Sequence, residues 1–471
     1  MSFELYEYKI EDLGKVITGK TPPSKISDAF SAQGIPFVTP KDMDGRRLID
    51  KTERYLSSQG VEAVRNCLLP QNSIAVSCIG SDMGKTVLLP GESITNQQIN
   101  AIVVDSEHFD YKYVYYYLST LQDDFKAIAG GSATPILNKG HFSQFKVSLP
   151  VKPVQNKIAL ILDSLDTKIE VNTEINHTLE QMAQALFKSW FVDFEPVKAK
   201  MAVLESGGSQ ADAMLAAMTA ISGKDADALA VFEREHPEQY AELKATAELF
   251  PLAMQDSELG EIPEGWTLSE IGAQIDIAGG ATPSTKTPDF WDNGDIHWTT
   301  PKDLSNVKDK ILLHTERKIT KAGLGKISSG LLPVNTVLMS SRAPVGYLAI
   351  AKVPVAINQG YIAMKCNKEL SPEFVLQWCS ANMPEIISRA SGTTFAEISK
   401  KNFKPIPLVK PPLELVKNYT KQVSAIYSLI ENTMRENNSL TELRDTLLPK
   451  LLSGEITLPE AEQAVSEVEN V

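Results

Sequence analysis

Two long stretches of the chain carry apolar residues at heptad spacing, and each follows a proline-rich segment. They run from about Val154 to Phe191 and from about Leu413 to Leu452. The first has two rows of repeating positions, Ile158, Leu165, Asn172, Leu179 and Leu186 beside Leu162, Ile169, Asn176, Ala183 and Trp190. The second has Val423, Ile430, Asn437 and Leu451 beside Tyr427, Met434 and Leu448, with Arg444 as an interruption. This spacing predicts two long helices with one apolar face each.

The length of the two predicted helices favours their pairing with each other. At 1.5 Å per residue each would span about 55 to 60 Å, which exceeds the diameter of a small domain. The alternative is that each helix lies along the domain that precedes it. We therefore expect a coiled coil.

Before each of these stretches the chain alternates short apolar runs with glycine and proline. Ser73–Cys78, Thr86–Leu89 and Ala101–Val104 are rich in β-branched and aliphatic residues, which indicates strands, and a helical stretch follows from Tyr111 to Ala127. Each such block is predicted to be a compact α+β domain.

The two blocks repeat each other in order. Thr39-Pro40-Lys41-Asp42 recurs as Thr300-Pro301-Lys302-Asp303, Thr52-Glu53-Arg54 as Thr315-Glu316-Arg317, and Asn96-Gln97 as Asn358-Gln359, while Gly19–Ser24 matches Gly279–Ser284 at an offset of 260. The ordered matches predict two copies of one domain. The expected organisation is a first α+β domain (1–150), a long helix (151–195), an acidic helical linker (196–260), a second α+β domain (261–410), a second long helix (411–454) and an acidic, frayed tail (455–471).

The net charge of −13 would argue against a nucleic-acid partner, but its distribution changes that conclusion. Residues 1–150 carry 15 basic and 17 acidic side chains, and residues 261–410 carry 17 and 14. The acidity lies in the helices, the linker and the tail. A basic surface on either α+β domain is therefore compatible with the composition.

Several classes of function lack their motifs. Gly80-Ser81-Asp82-Met83-Gly84-Lys85-Thr86 resembles a phosphate-binding loop but has three residues between its glycines where four are needed, and its repeat counterpart has no lysine. We expect a turn between strands there.

The six histidines and four cysteines fall in no metal-ligand spacing, and neither a methyltransferase tetrapeptide nor a nucleophile elbow occurs. The sequence predicts a non-catalytic binding protein without a cofactor or metal of its own. Without an export signal or membrane-spanning run, a cytoplasmic location is expected.

Basic residues cluster at predicted loops of both domains. We expect a DNA-facing surface formed by Lys20, Lys41, Arg46, Arg47, Lys85, Lys286, Lys302, Arg342, Lys400 and Lys401. Lysine suits phosphate contacts, whereas the planar fork of arginine suits guanine edges. The alternative for each residue is an ordinary solvated loop.

The architecture resembles the specificity subunits of type I restriction-modification enzymes. The resemblance rests on the duplicated Thr-Pro-Lys-Asp and Asn-Gln signatures and on three further segments, Met182–Phe194, Asp256–Trp266 and Leu443–Gly454. It implies that each repeat is a target recognition domain for one half of a split, asymmetric site in double-stranded DNA. It also implies that the long helices form an antiparallel coiled coil that spaces the two domains.

The same resemblance assigns the chemistry to partners. Two methyltransferase (M) subunits and the restriction (R) subunits would bring S-adenosylmethionine, ATP and magnesium. The alternatives are a two-domain protein-binding scaffold and a nuclease with an unrecognised site. The acidic segment 200–255 is the departure from the family pattern.

Two asparagines interrupt the apolar rows at equivalent points of the repeat, Asn172 and Asn437. Helices that pair antiparallel about a pseudo-two-fold axis bring equivalent residues near that axis together. We expect the two amides to bond to each other and to fix the register of the coiled coil.

Overall fold

The computed structural model describes residues 3–129, 136–305, 307, 309–342, 344–392 and 396–469. The chain forms two compact units, one of Met1–Val171 with Glu436–Val471 and the other of Asn172–Arg435. The first unit is discontinuous in sequence. Among the described residues, every helix is too short or too polar to span a lipid bilayer.

The first unit begins with an α+β recognition region. Its strands are β1 (Tyr6–Lys9), β2 (Gly14–Thr18), β3 (Phe30–Ser31), β4 (Ile35–Val38), β5 (Tyr55–Leu56), β6 (Leu68–Leu69), β7 (Ser73–Ser77), β8 (Thr86–Leu89), β9 (Ser93–Thr95), β10 (Ile99–Val104) and β11 (Lys146–Leu149). Its helices are α1 (Ser58–Ala63), α2 (Tyr111–Ser119), α3 (Gln122–Ala129) and α4 (Lys139–Gln144), with 3-10 turns at Ile10–Asp12, Pro40–Asp42 and Arg65–Cys67. The predicted strands are confirmed, and the predicted helical stretch is divided into α2 and α3.

Two sheets form the core of this region. The order β2-β10-β7-β8 is antiparallel throughout, and the second sheet has the order β3-β5-β4-β9-β6 with β4 and β9 parallel. Strand β7 is buried along its whole length because it lies inside its sheet. Helix α2 starts where the Asp110 carboxylate accepts a hydrogen bond from the Tyr113 amide at 2.8 Å.

After β11 the chain enters α5 (Lys152–Phe191), a continuous helix of 40 residues. The linker then forms α6 (Glu195–Glu205), α7 (Gln210–Ser222), α8 (Ala226–Glu235) and α9 (Pro237–Glu248). These helices are held in place by packing and by buried hydrogen bonds. Trp190 packs edge-to-face on Phe250 at 5.4 Å, and the ammonium group of Lys200, itself 2% exposed, donates to the carbonyls of Ala247 and Phe250 at 2.6 Å each.

The second recognition region repeats the first. Its strands are β12 (Met254–Ser257), β13 (Gly260–Pro263), β14 (Thr267–Glu270), β15 (Asp276–Ala278), β16 (Ile296–Thr299), β17 (Ile311–Leu312), β18 (Arg317–Ile319), β19 (Val337–Ser341), β20 (Val345–Ala351), β21 (Val355–Ile357), β22 (Tyr361–Lys365) and β23 (Pro407–Lys410). Its helices are α10 (Ile271–Gln274), α11 (Pro301–Ser305), α12 (Lys321–Leu324), α13 (Pro372–Ala381), α14 (Met383–Ser388) and α15 (Lys400–Phe403), with a 3-10 turn at Pro288–Phe290. The sheet β15-β22-β19-β20-β17 corresponds to the first sheet of the other region, and the parallel pair β16-β21 corresponds to β4-β9.

The chain ends with α16 (Leu413–Ser453) and α17 (Leu458–Glu469). Within the first unit α16 runs antiparallel to α5, since Arg444 bonds to Asp166 whereas Asn437 reaches Ile169. The same sense holds within the second unit, where Tyr427 bonds to Glu180 and the Tyr419 ring lies against Phe187. The predicted α+β repeats with two long packed helices are therefore confirmed. The segment expected to fray forms α17, because Ala461 is buried in the core of the first unit.

Candidate nucleic-acid interface

One loop of the first recognition region is built around Gly19. A Cβ atom at this position would overlap the carbonyl oxygen of Thr95, so the close approach of the two backbones requires glycine. The next amide, that of Lys20, donates to the same carbonyl at 2.9 Å, and the Thr21 hydroxyl donates to Gln97 Oε1 at 2.8 Å. This arrangement holds the Lys20 side chain exposed to solvent.

The second region contains the same loop, with Ala281 in place of Lys20. A Cβ on Gly280 would overlap the carbonyl of Ile357, the Ala281 amide donates to that carbonyl at 3.0 Å, and the Thr282 hydroxyl donates to Gln359 Oε1 at 2.7 Å. These bonds align Thr21 with Thr282, an offset of 261. The offset of 260 that the sequence suggested at this loop is therefore wrong by one residue.

The repeated Thr-Pro-Lys-Asp segment forms the same turn in both regions. In the first, the Asp42 carboxylate accepts from the amides of Thr39 and Glu53, each at 2.8 Å. In the second, the carboxylate of the equivalent aspartate accepts from the amides of Thr300 and Glu316 at 2.7 and 2.8 Å. The aspartate is therefore part of the framework, and the lysine beside it projects outwards.

The two lysines of these turns differ in their surroundings. Lys41 is exposed and borders a polar depression of about 270 Å³ together with Arg54 and Asn96. Lys302 lies 2.9 Å from Glu316, and because both side chains are largely exposed the ion pair contributes little. Both ammonium groups remain accessible to a phosphate.

Two arginines that the sequence interpretation did not select occupy equivalent places near these turns. The Arg54 guanidinium lies 3.5 Å from the centre of the Phe30 ring, and the Arg317 guanidinium lies 3.7 Å from the centre of the Trp291 ring. Stacking on an aromatic face orients the planar fork of an arginine. The signal for both was the repeated Thr-Glu-Arg triplet.

The glycine-rich segment after β7 is a turn between strands, as predicted. Gly84 has φ +83°, and its amide donates to the Ser77 carbonyl at 2.8 Å. Lys85 at the end of the turn lies 2.8 Å from Asp82. Its counterpart Tyr347 follows Gly346, which has φ +110°. Gly346 lies within strand β20, so the glycine with positive φ is kept in both regions while the connection before it and the side chain after it change.

The other predicted basic residues lie in different environments. Arg46 pairs with Asp44 at 3.0 Å, and Arg47 is buried against acidic side chains. In the second region Lys286 is exposed, and Arg342 is half-buried with its backbone bridged to Glu397. The exposed Lys400 and Lys401 open α15, and a Cβ on Gly279 would lie 3.0 Å from Lys400 Nζ, which places this ammonium group over the Gly279–Thr282 loop.

The two asparagines of the heptad rows lie on the buried side of their helices. Asn172 is 3% exposed, and Asn437 is half-buried with Nδ2 3.5 Å from the Ile169 carbonyl. Their direct pairing stays a prediction. Arg444, which interrupted the heptad, donates to Asp166 at 2.6 Å, so this charge is paired within the interface.

Nucleophilic or metal chemistry has little support among the described side chains. Burial raises the pKa of the Cys78 thiol to about 12, and burial also raises the pKa of Cys379. Both thiols are thus held in the unreactive protonated form. Asp105, Glu107 and His108 lie close enough to share an ion, but all three are exposed, and such acidic groups are common at surfaces.

Comparison with known proteins gives consistent matches over most of the chain. The family model described as "Type I restriction modification DNA specificity domain" matches residues 4–181 and 263–442. The chain is 35% identical over 324 residues to the HindI specificity subunit of Haemophilus influenzae, covering 67% of this chain and 70% of that protein. It is 34% identical over 191 residues to the MjaIX specificity subunit of Methanocaldococcus jannaschii, covering 40% of this chain and 44% of that one.

A solved structure shares the fold. The crystal structure of a type I restriction-modification S subunit from M. genitalium superposes with a TM-score of 0.51, at 15% identity and with 96% of each chain covered. At this identity the likeness concerns the fold alone.

Proposed function

The chain belongs to the DNA specificity subunits of type I restriction-modification systems, and from that premise we propose that each of its two recognition regions reads one half of a split, asymmetric DNA site. As a specificity subunit it is the non-catalytic component that determines the DNA target of the complex. The division into two unlike half-sites is the proposal.

The observation that carries this proposal is a shared framework with different side chains upon it. The Thr–Gln bond and the aspartate-centred turn recur in both regions, at nearly the same distances. After the equivalent glycines Gly84 and Gly346, however, Lys85 in one region is replaced by Tyr347 in the other. A common frame presents different groups in the two regions, as expected of domains that read different base pairs.

We assign the exposed lysines to the DNA backbone. Lys20, Lys41, Lys286, Lys302, Lys400 and Lys401 are solvent-exposed. A lysine ammonium contributes to affinity through counterion release without reading sequence. Arg342 is assigned to base reading, since guanidinium forks match guanine O6 and N7.

The remaining chemistry is assigned to partner subunits. Two methyltransferase subunits, one for each repeat, would use S-adenosylmethionine, and restriction subunits would use ATP and magnesium. The duplication supports this stoichiometry because it offers two equivalent surfaces.

Selection from a random pool of duplexes tests the proposal. The full chain, purified with the methyltransferase subunit of its own system, should enrich two unlike sequence blocks at a fixed separation. A variant with Arg342→Ala should relax one block only, and the block read by the first region serves as the internal control. Enrichment of a single block, or of none, would contradict the proposal.

A further inference from the structure

Arg47 occupies a position unlike that of a DNA-facing loop cation. Its backbone carbonyl accepts from the Leu88 amide at 2.8 Å, and the Ile49 amide donates back to the Leu88 carbonyl at 3.0 Å. The loop that carries it is thus fixed along β8. The side chain is 11% exposed.

The guanidinium of Arg47 is bound by residues of α5 and α2. Its Nε and Nη2 atoms donate to the two carboxylate oxygens of Glu170 at 2.9 Å each, which is a bidentate pair. Its Nη1 atom donates to Asp163 at 2.6 Å and to the Tyr116 hydroxyl at 3.2 Å. These bonds use four of the five N–H donors of the guanidinium and leave little of it for a nucleic acid.

Further cations and donors complete the cluster. Lys112 of α2 pairs with Asp163, and Arg444 of α16 pairs with Asp166 at 2.6 Å. The Tyr116 hydroxyl donates to the other Asp166 oxygen at 2.6 Å. Three cations thus face three carboxylates, and Arg444 also pairs with the exposed Asp445 at 2.7 Å. The acidic residues, at positions 163, 166 and 170, lie on one face of α5 because their spacing follows the helical repeat.

The electrostatics of the cluster agree with its geometry. Burial raises the pKa of Asp163, but hydrogen bonds from Lys112 and Arg47 outweigh this, so the pKa lies below its usual value. Burial likewise opposes the charged form of Arg47, yet Glu170 and Asp163 raise its pKa above the ordinary value. Each charge therefore depends on its partner.

The second unit contains a counterpart at the equivalent position. The Ile350 amide donates to the Lys310 carbonyl at 2.9 Å, as the Leu88 amide does to Arg47, so the two loops correspond at an offset of 263. The Lys310 ammonium lies 2.8 Å from Glu180 of α5. Glu180 is 7% exposed. It also accepts from the Tyr427 hydroxyl of α16 at 2.7 Å. The same loop position thus supplies a half-buried cation to the long helices in each unit.

We propose that Arg47 is a positioning residue that fixes the first recognition region on the helix pair of its own unit, and that Lys310 has this role in the second unit. The inference rests on the proposed function. Arg47 would act on DNA recognition through Glu170 and Asp163. Its loss would let the recognition region tilt on the helices and would blur the preference for one half-site separation.

The salt dependence of DNA binding separates this role from a phosphate contact. Log affinity falls with log salt, and removal of a residue that neutralises one phosphate reduces the magnitude of that slope by about one. We expect Arg47→Gln to leave that slope unchanged. It should instead reduce, by roughly ten-fold, the ratio of affinities for the correct half-site separation and for a separation one base pair longer or shorter. Lys41→Gln, at an exposed lysine of the same region, is the matched control for the loss of a phosphate contact.

A double-variant cycle tests whether Arg47 acts through Glu170. Arg47→Gln, Glu170→Gln and the double variant are compared as full chains with the methyltransferase subunit. If the two side chains act as one unit, the double variant loses no more separation preference than the more affected single variant. Arg47→Lys should fall between parent and Arg47→Gln, because an ammonium group cannot form the bidentate pair.

The outcomes are distinct. A salt slope whose magnitude falls by about one in Arg47→Gln, or losses of separation preference that add in the double variant, would overturn the inference. A parent protein without sequence-specific binding would overturn the proposed function instead. If Arg47→Gln does not fold, as judged by circular dichroism, then Arg47→Lys and Glu170→Gln carry the same comparison, and an unchanged separation preference in both would likewise contradict the positioning role.

Discussion

The glycine pair of the second recognition region, Gly279 and Gly280, offers a test of whether the Gly279–Thr282 loop takes part in DNA recognition. A Cβ atom on Gly280 would overlap the Ile357 carbonyl, whereas a Cβ on Gly279 would meet only the end of the flexible Lys400 side chain at 3.0 Å. Gly280→Ala must therefore displace the backbone, while Gly279→Ala can be accommodated by movement of one ammonium group. The two variants differ by one position and have the same change in composition.

The magnitude follows from the bonds that the displacement breaks. The Ala281 amide loses its bond to Ile357, and the Thr282 hydroxyl loses its bond to Gln359. Each bond contributes about 1 kcal/mol, and the second contributes less because both of its side chains are exposed. A total of about 1 to 2 kcal/mol corresponds to a loss of roughly five- to thirty-fold in affinity if the loop must keep this shape to bind DNA.

The assay is a titration of the full chain with the methyltransferase subunit against three duplexes, the cognate site and versions with either half-site scrambled. Gly280→Ala should weaken binding to the cognate duplex and to the one that retains the second half-site. It should not change binding where the second half-site is scrambled. Parental affinity for all three duplexes in Gly280→Ala, or an equal loss in Gly279→Ala, would refute the assignment of this loop to recognition.

Three further predictions concern the phosphate contacts, the coiled coil and acid stability. Arg342→Ala should reduce the difference in binding free energy between cognate and scrambled duplexes by about 1 to 3 kcal/mol, while Lys302→Ala should reduce the magnitude of the slope of log affinity against log salt by about one. Titrations of both duplexes over a salt series check both variants. An equal effect of Arg342→Ala on the two duplexes would contradict its role. Asn172→Leu combined with Asn437→Leu should raise the melting temperature but broaden the preferred half-site separation, and a lower melting temperature with the preference intact would contradict the register role. Because the pKa of Asp163 is lowered in the folded state, its ionised carboxylate contributes fully to stability above the unfolded pKa of about 3.9, and this contribution is lost as the pH falls through the folded pKa. The difference in unfolding free energy between the parent and Asp163→Asn should therefore shrink on acidification. A difference that does not vary with pH would contradict the pairing.

The long helices could be predicted because their evidence is periodic and local. Every heptad position from Ile158 to Trp190 is buried or half-buried in the structure, so the 3.5-residue spacing was sufficient to identify the face. Arg444 appeared only as an interruption of that pattern. Its partner Asp166 lies 278 residues away in sequence, and no local pattern identifies so distant a partner.

The environment of the basic residues was also not predictable from local sequence. Arg46 and Arg47 are adjacent and looked equivalent in sequence, yet Arg46 is 35% exposed and pairs within its own loop, whereas Arg47 is enclosed by α5 and α2. Exposure depends on which distant elements pack over a loop. The stacked Arg54 and Arg317 were overlooked for a related reason, since their aromatic partners lie on other segments.

The discontinuity of the first unit has a consequence for synthesis of the protein. Ile158, Leu162 and Leu165 of α5 share a core with Leu440 and Leu447 of α16, but the 264 residues of Asn172–Arg435 are translated between them. At about 5 to 20 residues per second, the ribosome needs roughly 13 to 50 s for that stretch. During this interval the apolar face of the first half of α5 has no covering helix. The nascent chain therefore carries an exposed hydrophobic surface until α16 emerges, which makes this face the expected binding site for a chaperone and the first site of aggregation in chains that terminate early.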